Sequence, residues 1–394
     1  MKKGNYISPV GHGNKGIVNA RPKSWSSGFL GHRYNPVDRP DGVRSVNVSS
    51  DNKYLIITNE SRAGKIRVVD LDRMEYLAPA YSGHTASVRM TSISKDNSSF
   101  FTGSWDGTAR RFDIDSGKCT ENLSGFGRCP SVFLDPKGKY LFTCSYDTDL
   151  DFESGNTGRC WDLTSRSILH FYHHSDERQK IECMDIVFDQ DFVYTGSDDG
   201  CSYRWPLEGG IPALEYFQCE GSVRKVAVSP SYFAVACTDG SLRVYWKISG
   251  ELVCIFYQDE PDIREVRISK DETRLFSGAA DGSVSCYNLL TKELIYQRKI
   301  HSHWIWSICL MNEDRVLVTG SRDGRVSFLT TDSGKILAQL INLPKKEDFL
   351  ITCPPDKESG FPNGFFYTNN MDLVQVLSWD IEKRTQQKLH PDDP

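Results

Sequence analysis

SGHTASVRMTSISKDNSSFFTGSWDGTARRFDIDSGKC, residues 82–119, reads as strand, turn, strand, Asp-Gly turn and strand. An Asp-Gly pair supplies the positive backbone angles that a tight hairpin needs. The core of the stretch recurs. Thr102-Gly103-Ser104-Trp105-Asp106-Gly107 has copies at Thr195–Gly200 and Thr319–Gly324, with looser ones at Cys237–Gly240 and Gly278–Gly282. Five residues past each of these glycines stands a large apolar residue: Phe112, Trp205, Tyr245, Tyr287 and Leu329.

The residue after each of those marks the end of a third strand. It falls at Asp70, Asp113, Asp162, Pro206, Trp246, Asn288, Thr330 and Asp380, with spacings of 43, 49, 44, 40, 42, 42 and 50. Eight units at a period of about 40–45 residues predict four-stranded blades arranged radially. The first strands support this: Val43–Val48 and Val223–Val228 alternate as half-buried strands do. No long helical period interrupts the pattern. The expectation is an all-β, closed β-propeller over residues 41–389, with eight blades favoured over seven. Closing the ring would remove exposed sheet edges. In the last unit, a fourth strand would come from Thr385–Leu389 or from the N-terminal arm.

These repeats resemble the WD-repeat family of β-propellers. Trp161-Asp162 and Trp379-Asp380 are the literal dipeptide, and Phe112-Asp113 is a near copy. The resemblance implies a hydrogen-bond network of Trp, Ser/Thr, His and Asp within each blade. In the second unit these positions read His84, Ser104 and Asp106, with Phe112 in place of Trp. In the seventh they read His301, Ser321 and Asp323, with Leu329 in place of Trp. The other units are expected to have lost the His and to lean on apolar packing.

Apolar residues make up 39% and charged residues 25% of the 394-residue chain, which excludes a mainly disordered chain, a collagen and a coiled-coil rod. No apolar run approaches the ~18–20 residues that span a bilayer. No apolar stretch follows Lys2 and Lys3, so a secretory signal is not expected. The twelve cysteines, from Cys119 to Cys353, contain no CxxC pair and read as free thiols of a cytoplasmic protein. Net charge is −5, unevenly spread. Residues 1–40 carry seven Lys/Arg and one acid, so a basic arm of +6 leads a body of −11. The chain stops at His390–Pro394, read as a tail or a truncation point.

No nucleophile elbow, Gly-rich phosphate loop or zinc helix is present. His170, His173 and His174 suggest a metal only weakly, because His170 and His173 differ in strand parity. Asp147, Asp149 and Asp151 form a weak calcium candidate, since Phe152 stands where the turn needs Gly; an acidic surface loop is the alternative. No cofactor is expected.

WD-repeat propellers commonly bind partners on the face made by loops entering the first strands and by the turns between second and third strands. Aligned by repeat, that face gathers Arg44, Arg89, Trp105, Arg128, Arg224, Arg264, Trp304, Trp306 and Arg322. Arg and Trp often dominate protein interfaces, and arginine grips carboxylates in a bidentate way. The alternative is that each arginine is neutralised by an acid of the next blade, such as Asp262 or Glu182. Trp304 and Trp306, two apart, are expected to point the same way and to anchor an apolar side chain. The favoured reading is a non-enzymatic scaffold that binds an acidic protein segment here. The alternatives are a nucleic-acid-associated propeller using the basic arm, which the acidic body disfavours, and a propeller enzyme with a metal in its channel. No membrane association is expected.

Overall fold

A computed structural model describes residues 5–7, 41–60, 64–73, 75–77, 81–124, 128–129, 131–144, 157–174, 183–189, 192–216, 219–258, 262–342, 349–353 and 365–368. All regular structure among the described residues is strand. Seven antiparallel sheets form a β-propeller whose blades carry four strands each, and the seventh sheet is extended beyond four. The innermost strands are Val43–Val48, Val88–Ile93, Val132–Leu134, Cys183–Asp189, Val223–Val228, Ile263–Ile268 and Ile305–Met311. They define blades 1 to 7 in chain order. The third strands end at Asp70, Asp113, Asp162, Pro206, Trp246, Asn288 and Thr330, as the spacing requires.

The blade count corrects the expectation of eight. Phe349–Cys353 and Phe365–Thr368, from the eighth unit, do not pack face to face as a new blade. They add edge-on to the outermost strand of blade 7, Ile336–Asn342, and Asn5–Ile7 adds beyond them. The position beside blade 7 is already filled. Val46 N donates to Ser307 Oγ at 3.1 Å, and Val43, Val46 and Leu55 share an apolar cluster with Val318, Val326 and Leu340.

The core is therefore seven separate clusters, one at each contact between neighbouring blades. The large residues that end the third strands sit inside them: Phe112, Trp205, Tyr245, Tyr287 and Leu329 are all buried. The glycine of Thr-Gly-Ser marks the closest approach between blades. A Cβ on Gly196 would lie 2.4 Å from Val223 Cγ1, and one on Gly320 would lie 2.7 Å from Val43 Cγ1.

The intra-blade networks differ from the sequence expectation in three ways. First, the hydroxyl against the histidine is Thr102, not Ser104. His84 Nε2 lies 2.7 Å from Thr102 Oγ1, and Nδ1 lies 2.7 Å from Asp106. Ser104 Oγ instead donates to Ser87 O and accepts from Asp106 N. Blade 7 repeats this with His301, Thr319 and Asp323, while Ser321 caps its turn. Second, blade 4 keeps all four residue types, with its His–Asp contact longer than a hydrogen bond. His174 Nε2 meets Thr195 Oγ1 at 2.6 Å and Nδ1 lies 3.6 Å from Asp199. Trp205 Nε1 donates to the same Thr195 oxygen. Third, substitutes fill other blades: Gln258 donates to Ser277 and Tyr287 in blade 6, and Trp161 donates to Thr143 in blade 3.

Blade 5 replaces the network with sulfur. Cys219 stands four residues before its first strand, as His84 and His301 do, and forms a disulfide with Cys237. This corrects the expectation of free thiols throughout; Cys119, Cys160, Cys201, Cys254, Cys286 and Cys309 are free. No helix among the described residues is long and apolar enough to cross a membrane.

Candidate functional site

Six innermost strands open with the same irregularity. The register shifts between Val43 and Ser45, Val88 and Met90, Cys183 and Asp185, Val223 and Lys225, Ile263 and Glu265, and Ile305 and Ser307. Arg44, Arg89, Arg224, Arg264 and Trp306 are each the extra residue of such a β-bulge. A bulge leaves its extra residue unpaired and re-aims the side chain. Here it turns five side chains from five blades toward one end of the ring's axis, where they line a common cavity. The turn residues Trp105 and Arg322 arrive from the second strands of blades 2 and 7.

The residues form an alternating ladder of guanidiniums and indoles. Around Trp105, the guanidinium carbons of Arg89, Arg128 and Arg44 lie 4.2, 5.1 and 5.9 Å from the ring centroid. Arg44 also lies 3.3 Å above the Trp306 ring. Arg322 is 5.7 Å from Trp306 and 4.8 Å from Trp304, and Arg264 is 4.2 Å from Trp304. Each such stack contributes about 0.5–2 kcal/mol, more when desolvated. Arg224 continues the circuit through Asp262, which pairs with Arg264 as well. All nine residues predicted for this face thus lie at one end of the ring.

Two details differ from the sequence reading. Trp304 precedes its strand and Trp306 sits in the bulge, so strand parity does not relate them; they meet edge-on, with centroids 6.0 Å apart. Trp306 is only 8% exposed, with Arg44 over its face, and so is not open to an apolar anchor.

Acids at the mouth are few. Glu60 pairs with Arg44 at 3.3 Å and Arg322 at 3.5 Å. Asp198 lies 3.7 Å from Arg224. Asp262 serves Arg224 and Arg264 from a left-handed backbone, φ 73°, held by Thr238 O and Ala280 N. Glu60 escaped the sequence reading because blade 1 lacks an Asp-Gly turn. It nevertheless stands one residue past the second strand, in register with Trp105 and Arg322. Glu182 lies outside the described residues. Among the described residues, six arginines facing three carboxylates leave the mouth positive. Burial and neighbouring Arg89 push Arg44 down to about 8, against the opposing pull of Glu60. Burial pushes Arg89 down to about 10, with Arg264, Arg224 and Arg128 adding to it and Glu60 opposing.

The same cavity reaches buried ion pairs that the sequence did not reveal. Lys225 Nζ lies 3.0 Å from Asp185 Oδ1, which also accepts from Ser131 Oγ, while Val226 N donates to Asp185 Oδ2. Arg267 pairs with Glu265 at 3.3 Å. Burial raises the Glu265 pKa, with Arg267 and Lys225 opposing. A larger cavity of about 400 Å³ opens beyond, sharing Asn47, Met90, Lys225 and Arg267 with the mouth. Among the described residues no three His, Cys, Asp or Glu side chains group to hold a metal. Asp147, Asp149 and Asp151 lie outside the described residues.

This fold, with its repeated His–Thr–Asp networks, defines a WD-repeat protein. The family model described as WD domain, G-beta repeat matches residues 77–113, 165–205, 250–288 and 292–328. The chain is 20% identical over 293 residues to the WD repeat domain-containing protein 83 homolog of Dictyostelium discoideum, covering 66% of this chain and 86% of that one. It is 26% identical over 282 residues to an uncharacterized WD repeat-containing protein of Schizosaccharomyces pombe, covering 63% and 44%. It is 24% identical over 267 residues to WD repeat-containing protein 62 of Mus musculus, covering 64% and 17%. The matches thus span less than half the length of the last two. WD-repeat propellers generally act as protein-interaction scaffolds.

Proposed function

We propose that the protein is a non-catalytic interaction platform whose arginine and tryptophan mouth binds an acidic segment of a partner protein. The observation that carries this is the charge imbalance among the described residues: six arginines from blades 1, 2, 5, 6 and 7 and the loop before blade 3 face Glu60, Asp198 and Asp262. The partner supplies the missing negative charge, and bidentate arginines read its carboxylates. Arg264→Glu with Arg322→Glu tests the reading. Arg322 is 38% exposed at its side chain, and surface substitutions of this kind shift stability by only about 0.5 kcal/mol. Proteins captured from native extract by the wild type should be lost by the double variant and by Arg322→Glu alone, whose melting temperature should be nearly unchanged. Unchanged capture would remove this face as the binding surface.

A further inference from the structure

Stacking decides which part of each arginine is left to bind. The guanidiniums lie over the indoles of Trp105, Trp304 and Trp306. Those aromatic faces are occupied, so the mouth is not built as a cage for a cationic ligand. A stacked guanidinium keeps its N–H donors in its own plane, directed away from the ring.

Several donors around the mouth have no hydrogen-bond acceptor among the described residues, although Arg224 Nε lies 3.8 Å from Asp262 Oδ1. Arg44 Nε, Arg89 Nη1, Arg224 Nε, Arg264 Nε and Trp306 Nε1 are all buried without a hydrogen-bond acceptor among the described residues. All five residues line one cavity of about 120 Å³. A buried donor left unsatisfied costs about 1–3 kcal/mol, so five around one space call for an occupant rich in acceptors. Arg89 has no carboxylate within ion-pair distance among the described residues and meets only Trp105. Glu265 Oε2 is the one unsatisfied acceptor on the lining, and Arg267 already faces it at 3.3 Å.

Size and charge narrow the occupant. The cavity of about 120 Å³ has room for a phosphate group. A carboxylate offers one charge and two oxygens. A phosphate monoester offers nearly two charges and three free acceptor oxygens, closer to the mouth's excess of three positive charges.

We propose that this cavity binds a phosphate group, carried as a phosphorylated residue within the acidic segment. The inference rests on the reading of the face given above and names the chemistry at its centre.

Isothermal titration calorimetry at pH 7.5 and fixed ionic strength tests it. The probes are inorganic phosphate, sulfate, acetate, and a glycine–serine heptapeptide with one central phosphothreonine beside its unphosphorylated form. Phosphate and sulfate should bind one to one and acetate should not. The phosphopeptide should bind more tightly than phosphate, and its plain form should not bind. Arg89→Gln should weaken phosphate at least tenfold. Arg224→Gln, at a 29% exposed side chain and so safer for folding, should do the same. Equal responses to acetate and phosphate, or phosphate binding indifferent to both substitutions, would overturn the phosphate site. Phosphate binding with no gain from the peptide would limit the site to free phosphate and overturn the phosphorylated segment, as would tighter binding of an octathymidylate. If phosphate fails while extract capture still depends on Arg264 and Arg322, the inference falls and the interaction face stands.

Discussion

Asp323 is held by three donors. His301 Nδ1 lies 3.0 Å away, Ser302 N donates to one oxygen, and Arg325 N donates to the other. Burial alone would raise its pKa, but the charge and hydrogen bond of His301 outweigh that and hold it below 3.8. Asp106 and Asp199 are held low in the same sense, each against the opposing effect of burial. The sign follows directly. A carboxylate with a depressed folded pKa contributes stability above its unfolded value, about 3.9, and loses it as pH falls through the folded value. Asp323→Asn should cost about 1.5–3 kcal/mol at pH 7, the worth of hydrogen bonds to a charged group. Its further loss between pH 4 and pH 2 should be smaller than the wild type's. Calorimetric melts that run parallel for the two proteins would contradict this. The same network shows where residue-level reading stopped. His84 and His301 lie 22 residues before their aspartates, whereas His174 lies 25 before Asp199, so a fixed spacing passed over it. Thr102 and Ser104 are two apart with the same strand parity, and only the geometry separates the hydroxyl under the ring from the one in the turn.

Strand ends were written in the sequence, because an Asp-Gly hairpin followed by a large apolar residue fixes both register and boundary. The third-strand ends at Asp113, Pro206, Trp246, Asn288 and Thr330 fell where that pattern put them, those at Asp70 and Asp162 where the period did, and Asp380 lies outside the described residues. The bulges were not legible. One extra residue at the start of a strand changes no residue type and leaves alternation almost intact, yet it decides that Arg44, Arg89, Arg224 and Arg264 face the mouth. Repeat alignment found these residues by position without the device that aims them. The elements also set the tolerance of each contact between blades. On Gly320, a Cβ would fall 2.7 Å from Val43 Cγ1 and 2.9 Å from Val46 Cγ1, where blade 7 meets blade 1. Gly320→Ala should therefore destabilise by about 1–3 kcal/mol, the usual overpacking cost. Val43→Ala, destabilising alone, should cost less in the Gly320→Ala background, because it removes the nearer of the two clashing methyls. A double-mutant cycle measures that coupling. Additivity within ~0.3 kcal/mol would mean that the two blades do not press on each other there.

Whether the chain makes seven blades or eight is decided by how sheets add to one another. An extra hairpin can pack its face on a neighbouring blade or extend its edge, and both choices use the same alternating strands. The eighth unit extends the edge: Gln339 faces Thr352, and Ile341 faces Leu350. The face it would have packed on is taken, since Val43, Val46 and Leu55 already cover blade 7. No local pattern reports that occupancy, so the sequence could carry the fold class and the period but not the count. The site follows the same logic. Its residues are far apart in the chain and converge only because each repeat brings the same register position to the same end of the axis, while Lys225 and Asp185 meet at the waist without any repeat signal. Deletion of residues 343–394 should then leave the seven-bladed body folded. Its main loss is the cover that Ile351 gives Leu340, and burying one such side chain is worth about 1.5–3 kcal/mol. The truncated protein should keep a single cooperative melt, lowered by only a few degrees, since 1 kcal/mol moves the midpoint by about 2–4 °C in chains of 150–250 residues. The mouth lies on the inner strands and turns, away from this outer edge, so phosphate binding should be unchanged. Loss of the cooperative transition would show that the extension completes the ring rather than lying against it.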